Sequence, residues 1–188
     1  MEIESKGTLR IQRAKAGLLV VDIQERLLQA IFENERVGEN SHRLIQAALI
    51  LNRPILATEQ YRKGLGPTIL ALANAIPNFE PFQKVAFSAC GAEGCLHRLK
   101  AAGISDVILC GIETHVCICQ TCLDLLEEGF RVFVVADAVS SRTQENHFLG
   151  LERMRDAGAV IGSTEMLIFE LLEKAGTDEF KRILPLVK

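Results

Sequence analysis

The segment VILCGIETHVCICQTCLDLLEEG, Val107 to Gly129, decides how this 188-residue chain is read. Val107, Ile108, Leu109 and Cys110 form a short, β-branched apolar run that predicts a buried strand, and Gly111 predicts its end. Thr114 then reads as a helix N-cap. Val116, Cys119, Leu123 and Leu126 recur at spacings of three and four, the stripe by which a helix packs on a sheet. With the cap at Thr114, Cys117 falls in the first helical turn, where unpaired N–H groups and the positive end of the helix dipole favour a thiolate. Cys117 is therefore the candidate nucleophile. Free cysteines are most often packing residues, as Cys110 in the strand and Cys119 on the stripe are expected to be. What separates Cys117 is its place at a strand-to-helix handover, where open α/β sheets bind their ligands.

The same alternation extends along the chain in both directions. Gly17-Leu18-Leu19-Val20-Val21-Asp22 predicts a first buried strand ending in an acid, and residues 37–52 carry a helix pattern on Leu44, Ala47, Ala48 and Leu51. Residues 54–58 (PILAT) predict a second strand, Pro67 opens a helix through Leu72, and Phe82 to Phe87 predict a third strand with Lys84 inside it. Residues 92–102 form a short helix closed by Gly103. Arg131 to Asp137 (RVFVVAD) predict a fifth strand, Thr143 to Ala157 a helix ended by Gly158, Ala159 to Ile161 a sixth strand, and Glu165 to Lys174 a last amphipathic helix. Six strand–helix alternations with crossover-length connections predict one α/β domain over residues 1–188. It would be a three-layer α-β-α arrangement with a mostly parallel six-stranded sheet of Rossmann-like topology. The turn after the first strand, Asp22-Ile23-Gln24-Glu25, has no GxGxxG, and no GxxxxGK[ST] occurs, so a nucleotide-binding version of the fold is excluded. Gly64-Leu65-Gly66-Pro67 reads as loop.

Composition narrows the function classes. Apolar residues make up 48% and charged residues 24%, the balance of a globular protein. A net charge of −3 without a Lys/Arg cluster argues against a nucleic-acid partner. No uncharged run reaches the roughly 18 residues that a membrane span needs, and the lead MEIESKGTLR is too polar for a signal peptide, so a cytoplasmic protein is expected. The six cysteines then read as reduced thiols. Cys117 and Cys119 would point about 200° apart on a helix, and neither a metal site nor any other cofactor is expected.

The chemistry that remains lies at the carboxyl ends of the strands. Asp22 closes the first strand, Lys84 lies in the third and Cys117 follows the fourth, so a switch-point crevice can gather them. Together they make sense, because an acyl-transfer thiol needs a base to take its proton and a cation to hold down its pKa. Asp137 and Arg142 are read as fixing the Ser140-Ser141 turn. His115 is read as a surface or subunit-contact residue pointing away from Cys117.

These residues reach a resemblance. LLVVDIQERL at the first strand, TEQYRKGLGPT after the second, KVAFSA at the third and GIETHVCICQTCLDLLEEGFRVFVVADAVSSR through the fourth and fifth resemble the isochorismatase-like cysteine hydrolases. Within that superfamily, the isochorismatase domain-containing proteins are the most similar. The resemblance implies an Asp–Lys–Cys triad of Asp22, Lys84 and Cys117, a cis peptide joining Ile112 to Glu113, and an oxyanion hole formed by the backbone N–H groups of Glu113 and Cys117. Gln24 and Ile112 become candidate substrate-pocket residues. The implied activity is hydrolysis of a small amide-type substrate through a thioester, by a homo-oligomer. Family nicotinamidases carry an Asp-x-His metal motif after the second strand, where this chain has Thr58-Glu59-Gln60-Tyr61, which argues against that metal and against nicotinamide. Isochorismatases proper lack the cysteine, so Cys117 argues against vinyl-ether hydrolysis. A non-catalytic scaffold on the same fold and a thiol redox protein are the alternatives. The apolar tail Ile183, Leu184, Leu186 and Val187 is either a contact surface or a terminal helix docked on its own domain.

Overall fold

A computed structural model describes residues 10–188. The polar lead that argues against a signal peptide, residues 1–9, lies outside the described residues. Six parallel strands form one sheet: β1 (Ala16–Val21), β2 (Ile55–Gln60), β3 (Phe82–Lys84), β4 (Asp106–Ile112), β5 (Arg131–Ser140) and β6 (Val160–Gly162), in the order β3-β2-β1-β4-β5-β6. Helices α1 (Glu25–Leu28) and α2 (Asn34–Ile50) follow β1, α3 (Arg62–Leu65) and α4 (Leu70–Ala73) follow β2, and α5 (Cys95–Ala101) follows β3. Helix α6 (Cys119–Glu127) follows β4, α7 (Gln144–Asp156) follows β5, and α8 (Thr164–Leu172) and α9 (Asp178–Ile183) complete the chain.

Every residue of β1 and β4 is buried, which explains why both read as unbroken apolar runs: each is covered on two faces. One face packs α2, α8 and α9 through Leu44, Ile45, Leu167, Ile168 and Ile183, and the other packs α5, α6 and α7 through Leu99, Cys122, Leu125 and Met154. The α/β three-layer architecture predicted from the alternation is the one observed. Its strand order places the topological switch point between β1 and β4, because the chain leaves β1 toward β2 and leaves β4 toward β5.

Several boundaries differ from the sequence reading, each for a local reason. Strand β4 does not end at Gly111 but runs to Ile112. At φ 127° Gly111 passes so close to β1 that a Cβ there would lie 2.0 Å from the Val21 carbonyl oxygen. The glycine marks a close backbone approach, not a break. Strand β3 stops at Lys84, three residues before Phe87, because the carbonyls of Ala86 and Phe87 turn in toward the Lys84 ammonium. The helix expected from Pro67 begins only at Leu70, since Thr68 is held in a bridge with Gln24. Helices α1, α3 and α9 are additional. Ile183 is fully buried and Leu186 and Val187 pack against the same core, so the tail docks on its own domain.

The largest correction lies at the quoted segment. Thr114 is not an N-cap; Thr114–Ile118 form a single π-helical turn in which Ile118 N–H donates to Glu113 O at 3.1 Å, and the Thr114 hydroxyl pairs instead with His147 Nδ1 at 3.0 Å. A π turn holds about one residue more than an α turn, which rotates everything after it by about 100°. The buried stripe of α6 is accordingly Ile118, Cys119, Cys122 and Leu125, and Val116, Leu123 and Leu126 are only half-buried.

Candidate active site

Asp22 is the first residue after β1, and its left-handed backbone, φ 55°, turns the chain sharply where the strand ends. Asp tolerates that conformation better than most residues. The carboxylate is fully buried and accepts hydrogen bonds from Lys84 Nζ on Oδ2 at 2.6 Å and from the Thr58 hydroxyl on Oδ1 at 2.8 Å. The Cys117 thiol lies beside it, close enough to lower its pKa. The fold thus brings Asp22, Lys84 and Cys117 together from β1, β3 and the π turn at the switch point. The carboxylate, not the sulfur, is the hub of the cluster.

Lys84 carries no direct hydrogen bond to the sulfur. Its ammonium donates to Asp22 Oδ2, to Gln60 Oε1 at 2.7 Å and to Phe87 O at 2.8 Å, with Ala86 O at 3.2 Å. Three protons meet three short contacts, so the cation acts on Cys117 through space. Cys117 keeps 5% of its surface exposed. Burial, reinforced by the Asp22 charge, pushes its thiol up to about 12, against the lowering by Lys84 and by a hydrogen bond from the Glu113 backbone. Against the sequence reading of a thiolate favoured by the helix terminus, burial here favours the thiol. Burial likewise raises Asp22, although Lys84, Thr58 and Cys117 all pull it down. That makes the carboxylate a stronger base.

Two candidate pocket residues do not face a pocket. Gln24 is fully buried, and its amide is a clamp: Nε2 donates to Gln60 O at 2.9 Å and to Gly66 O at 2.6 Å, and Oε1 accepts from Gln60 N at 2.8 Å. Ile112 is also fully buried, in the core beneath α2. The Ile112–Glu113 peptide is cis. Glu113 Oε2 accepts from the Arg142 N–H and Nε, both at 3.0 Å, so Arg142 ties β5 to the π turn. Asp137 does not fix the Ser140-Ser141 turn; its Oδ1 accepts from Thr164 N and Oγ1, at 2.8 and 2.9 Å, and so anchors the start of α8. His115 is half-buried, with Nδ1 2.9 Å from Ser141 Oγ, and holds the π turn to the end of β5.

Where a metal motif would lie, the Glu59 carboxylate is already taken. It accepts from Arg62, Gln83, Thr68 N and Thr68 Oγ1, all between 2.7 and 2.9 Å, and these bonds hold its pKa below the usual range despite burial. The residues that sequence reasoning missed are Thr58 and Gln60. Their signal was visible: three polar residues, Thr58-Glu59-Gln60, end a strand that begins with apolar ones. At the rim, Tyr61, Val85 and Phe87 are exposed, Val85 by 81%.

Comparison with known proteins bears on the family and the fold. The isochorismatase domain matches residues 16–166. The secreted isochorismatase effector Isc1 of Phytophthora sojae is 42% identical over 98% of this chain and 91% of its own length, and isochorismatase domain-containing protein 2 of Danio rerio is 42% identical over 94% and 89%. Among solved structures, the MAR1 ribonuclease of Caenorhabditis elegans superposes with a TM-score of 0.90 at 39% identity, covering 95% of this chain and 92% of that one. YcaC of Pseudomonas aeruginosa, solved with hexane-2,5-diol and covalent acrylamide, gives 0.87 at 29% identity, with 94% and 91% covered. YcaC of Escherichia coli, described as an octameric hydrolase of unknown specificity, gives 0.88 at 27% identity, with 96% and 94% covered. A domain match over most of the chain and relatives at about 40% identity leave one conclusion: this chain belongs to the isochorismatase family.

Proposed function

We propose that the chain is a cysteine-dependent hydrolase that cleaves a small amide-type C–N bond through a thioester, with Asp22, Lys84 and Cys117 as its triad. The observation that carries this reading is the Cys117 thiol set beside a buried carboxylate that is itself paired with Lys84 at 2.6 Å. Because the resting sulfur is protonated, the thiolate forms only as substrate is attacked: Asp22 takes the thiol proton while sulfur bonds to the carbonyl carbon. Lys84 offsets the charge that moves onto the sulfur side. The backbone N–H groups of Glu113 and Cys117 hold the tetrahedral oxyanion. Protonated Asp22 then gives its proton to the leaving nitrogen and the amine departs. Water, deprotonated by Asp22, attacks the thioester; acid is released and the thiol is restored.

The Pseudomonas relative was solved with covalent acrylamide, an electrophile that adds to nucleophilic thiols at its alkene, which is in keeping with a reactive cysteine in the family. The ribonuclease name of the Caenorhabditis relative raises a second reading. Against it stand the net charge of −3 and a triad cation already held by three acceptors, neither suited to a phosphodiester. The octameric relative supports a homo-oligomer, for which exposed Phe148, Leu149, Met166 and Phe169 offer apolar surface. No helix among the described residues is long and apolar enough to cross a membrane, and all six cysteines are free, as befits a reducing compartment such as the cytoplasm.

The test is a panel of small amides, carbamates and ureas, with single-stranded RNA alongside, given to wild type and to Cys117→Ala. We expect one class of C–N substrate to be hydrolysed by wild type at least a hundredfold faster than by the variant, and RNA to be left intact. Equal hydrolysis by both proteins removes the nucleophile, and no turnover of any C–N substrate favours a binding or scaffold role.

A further inference from the structure

Gln60 plays no part in the triad described above, yet it makes the only other side-chain contact to the Lys84 ammonium among the described residues, at 2.7 Å. Its amide has one orientation that satisfies every neighbour. Nε2 donates to Val85 O at 2.9 Å, which leaves Oε1 facing the ammonium, and the Gln60 backbone N–H and C=O are both gripped by the Gln24 amide. Gln24 in turn reaches Gly66 O, so the grip extends into the loop after α3. Few surface glutamines are fixed at four points, and this one is buried.

We infer that Gln60 is a positioning residue, which holds the Lys84 ammonium in place during the half of the reaction in which Asp22 is neutral. The inference rests on the proposed nucleophilic role of Cys117. Its physical basis is charge accounting within the cluster. At rest, Lys84 leans on the Asp22 carboxylate; once Asp22 has taken the thiol proton, that anionic acceptor is gone and the sulfur carries the negative charge. An ammonium left with backbone carbonyls alone is free to swing toward the sulfur or out toward the rim. A neutral oxygen fixed 2.7 Å away keeps it where it acts on the sulfur through space without quenching it by contact. A carboxylate at the same position would keep the cation too, but would add a second anion opposing the thiolate. Neutrality at position 60 is thus part of the design. The other titratable groups facing Lys84 are Asp22 from the end of β1, Cys117 from the π turn and Cys95 from α5.

The experiment is the rate of Cys117 alkylation by iodoacetamide between pH 6 and 10, followed by mass spectrometry on intact wild type, Gln60→Glu and Gln60→Met, with thermal melting of each. Below its titration a thiol reacts tenfold faster per pH unit, so a displaced profile reads directly as a rate ratio. We expect Gln60→Glu to displace the profile upward by about one unit, a roughly tenfold loss at pH 7.5. Gln60→Met, which keeps the shape but removes the acceptor, should slow alkylation several-fold with a smaller displacement. A purely structural glutamine predicts instead that both variants alkylate like wild type, or that their losses follow the fall in melting temperature alone, and either result overturns the inference. If one variant does not fold, the other still separates these outcomes. Hydrolysis of a C–N substrate by Cys117→Ala as fast as by wild type removes the nucleophile itself, and this inference with it; a Cys117-dependent wild type with an unmoved Gln60→Glu alkylation profile removes only the inference.

Discussion

Asp22 and Lys84 form an ion pair whose two side chains are wholly buried, and such a pair costs far more to break than to delete. Lys84→Met strands a carboxylate among apolar neighbours. We expect it to lose about 3–5 kcal/mol of stability in urea unfolding, and the double variant Asp22→Asn with Lys84→Met to recover most of that, since a neutral amide needs no counter-ion. Asn also tolerates the left-handed backbone at position 22. Equal losses in the single and double variants would show that Lys84 stabilises by packing and not by charge. At this scale the sequence was informative in kind but not in state. Asp22, Lys84 and Cys117 stand out because each is a chemically active residue at or near the end of an apolar run. Nothing local revealed that Cys117 would be pushed up to about 12, because desolvation depends on what covers the sulfur.

The π turn is the element on which the site hangs, and two glycines shape it. A Cβ on Gly111 would meet the Val21 carbonyl oxygen at 2.0 Å, a backbone atom that cannot swing aside. Gly111→Ala is expected to yield no folded protein, checked by soluble expression and circular dichroism. Gly150 in α7 allows the close approach of that helix to the turn; its Cβ would lie 3.0 Å from His115 Cα and N. Alanine there gains about 1 kcal/mol of helix propensity but overpacks a tight contact at about 1–3 kcal/mol. The expected net result is a melting temperature lower by a few degrees, together with slower Cys117 alkylation as the turn is pushed toward the sulfur. A more stable variant with unchanged alkylation would show that α7 yields instead. The periodicity gave the six strands and the longer helices in their order, but the short helices and the π turn escaped it. One inserted residue has no signature in a pattern of apolar spacings, and the wheel drawn through Thr114 came out one position off.

Burial of the cysteines sets the behaviour of the molecule in alkali. Cys90 is raised to about 11, and Cys95, Cys110, Cys117 and Cys122 to about 12, in each case chiefly by desolvation. Unfolding returns each thiol to its ordinary value near 9, so between pH 9 and about 12 the unfolded chain binds fewer protons than the folded one. Stability is therefore complete below pH 9 and falls above it, by up to roughly tenfold in the folding equilibrium per pH unit for each such thiol. A melting temperature that drops steeply from pH 8 to 10.5 is expected, with a shallower drop for Cys110→Val, whose sulfur lies in the core away from the proposed chemistry. A flat profile would mean that the thiols are less deeply buried than they stand here.

The sequence by itself determined the alternation of strands and helices, the parallel sheet, the family and the three residues that converge on the switch point. The alternation, the sheet and the three residues follow from local apolar pattern and from the identity of residues at strand ends, and the family from the resemblance of whole motifs. Only the tertiary structure decided that the carboxylate is the hub, that Gln24 is a clamp and Ile112 core, and that Gln60 and Thr58 join the cluster. The reason is that hydrogen-bond partners and dielectric are set by neighbours far apart along the chain: Gln24, Gln60 and Lys84 meet across three elements, and no spacing within any one of them encodes the meeting.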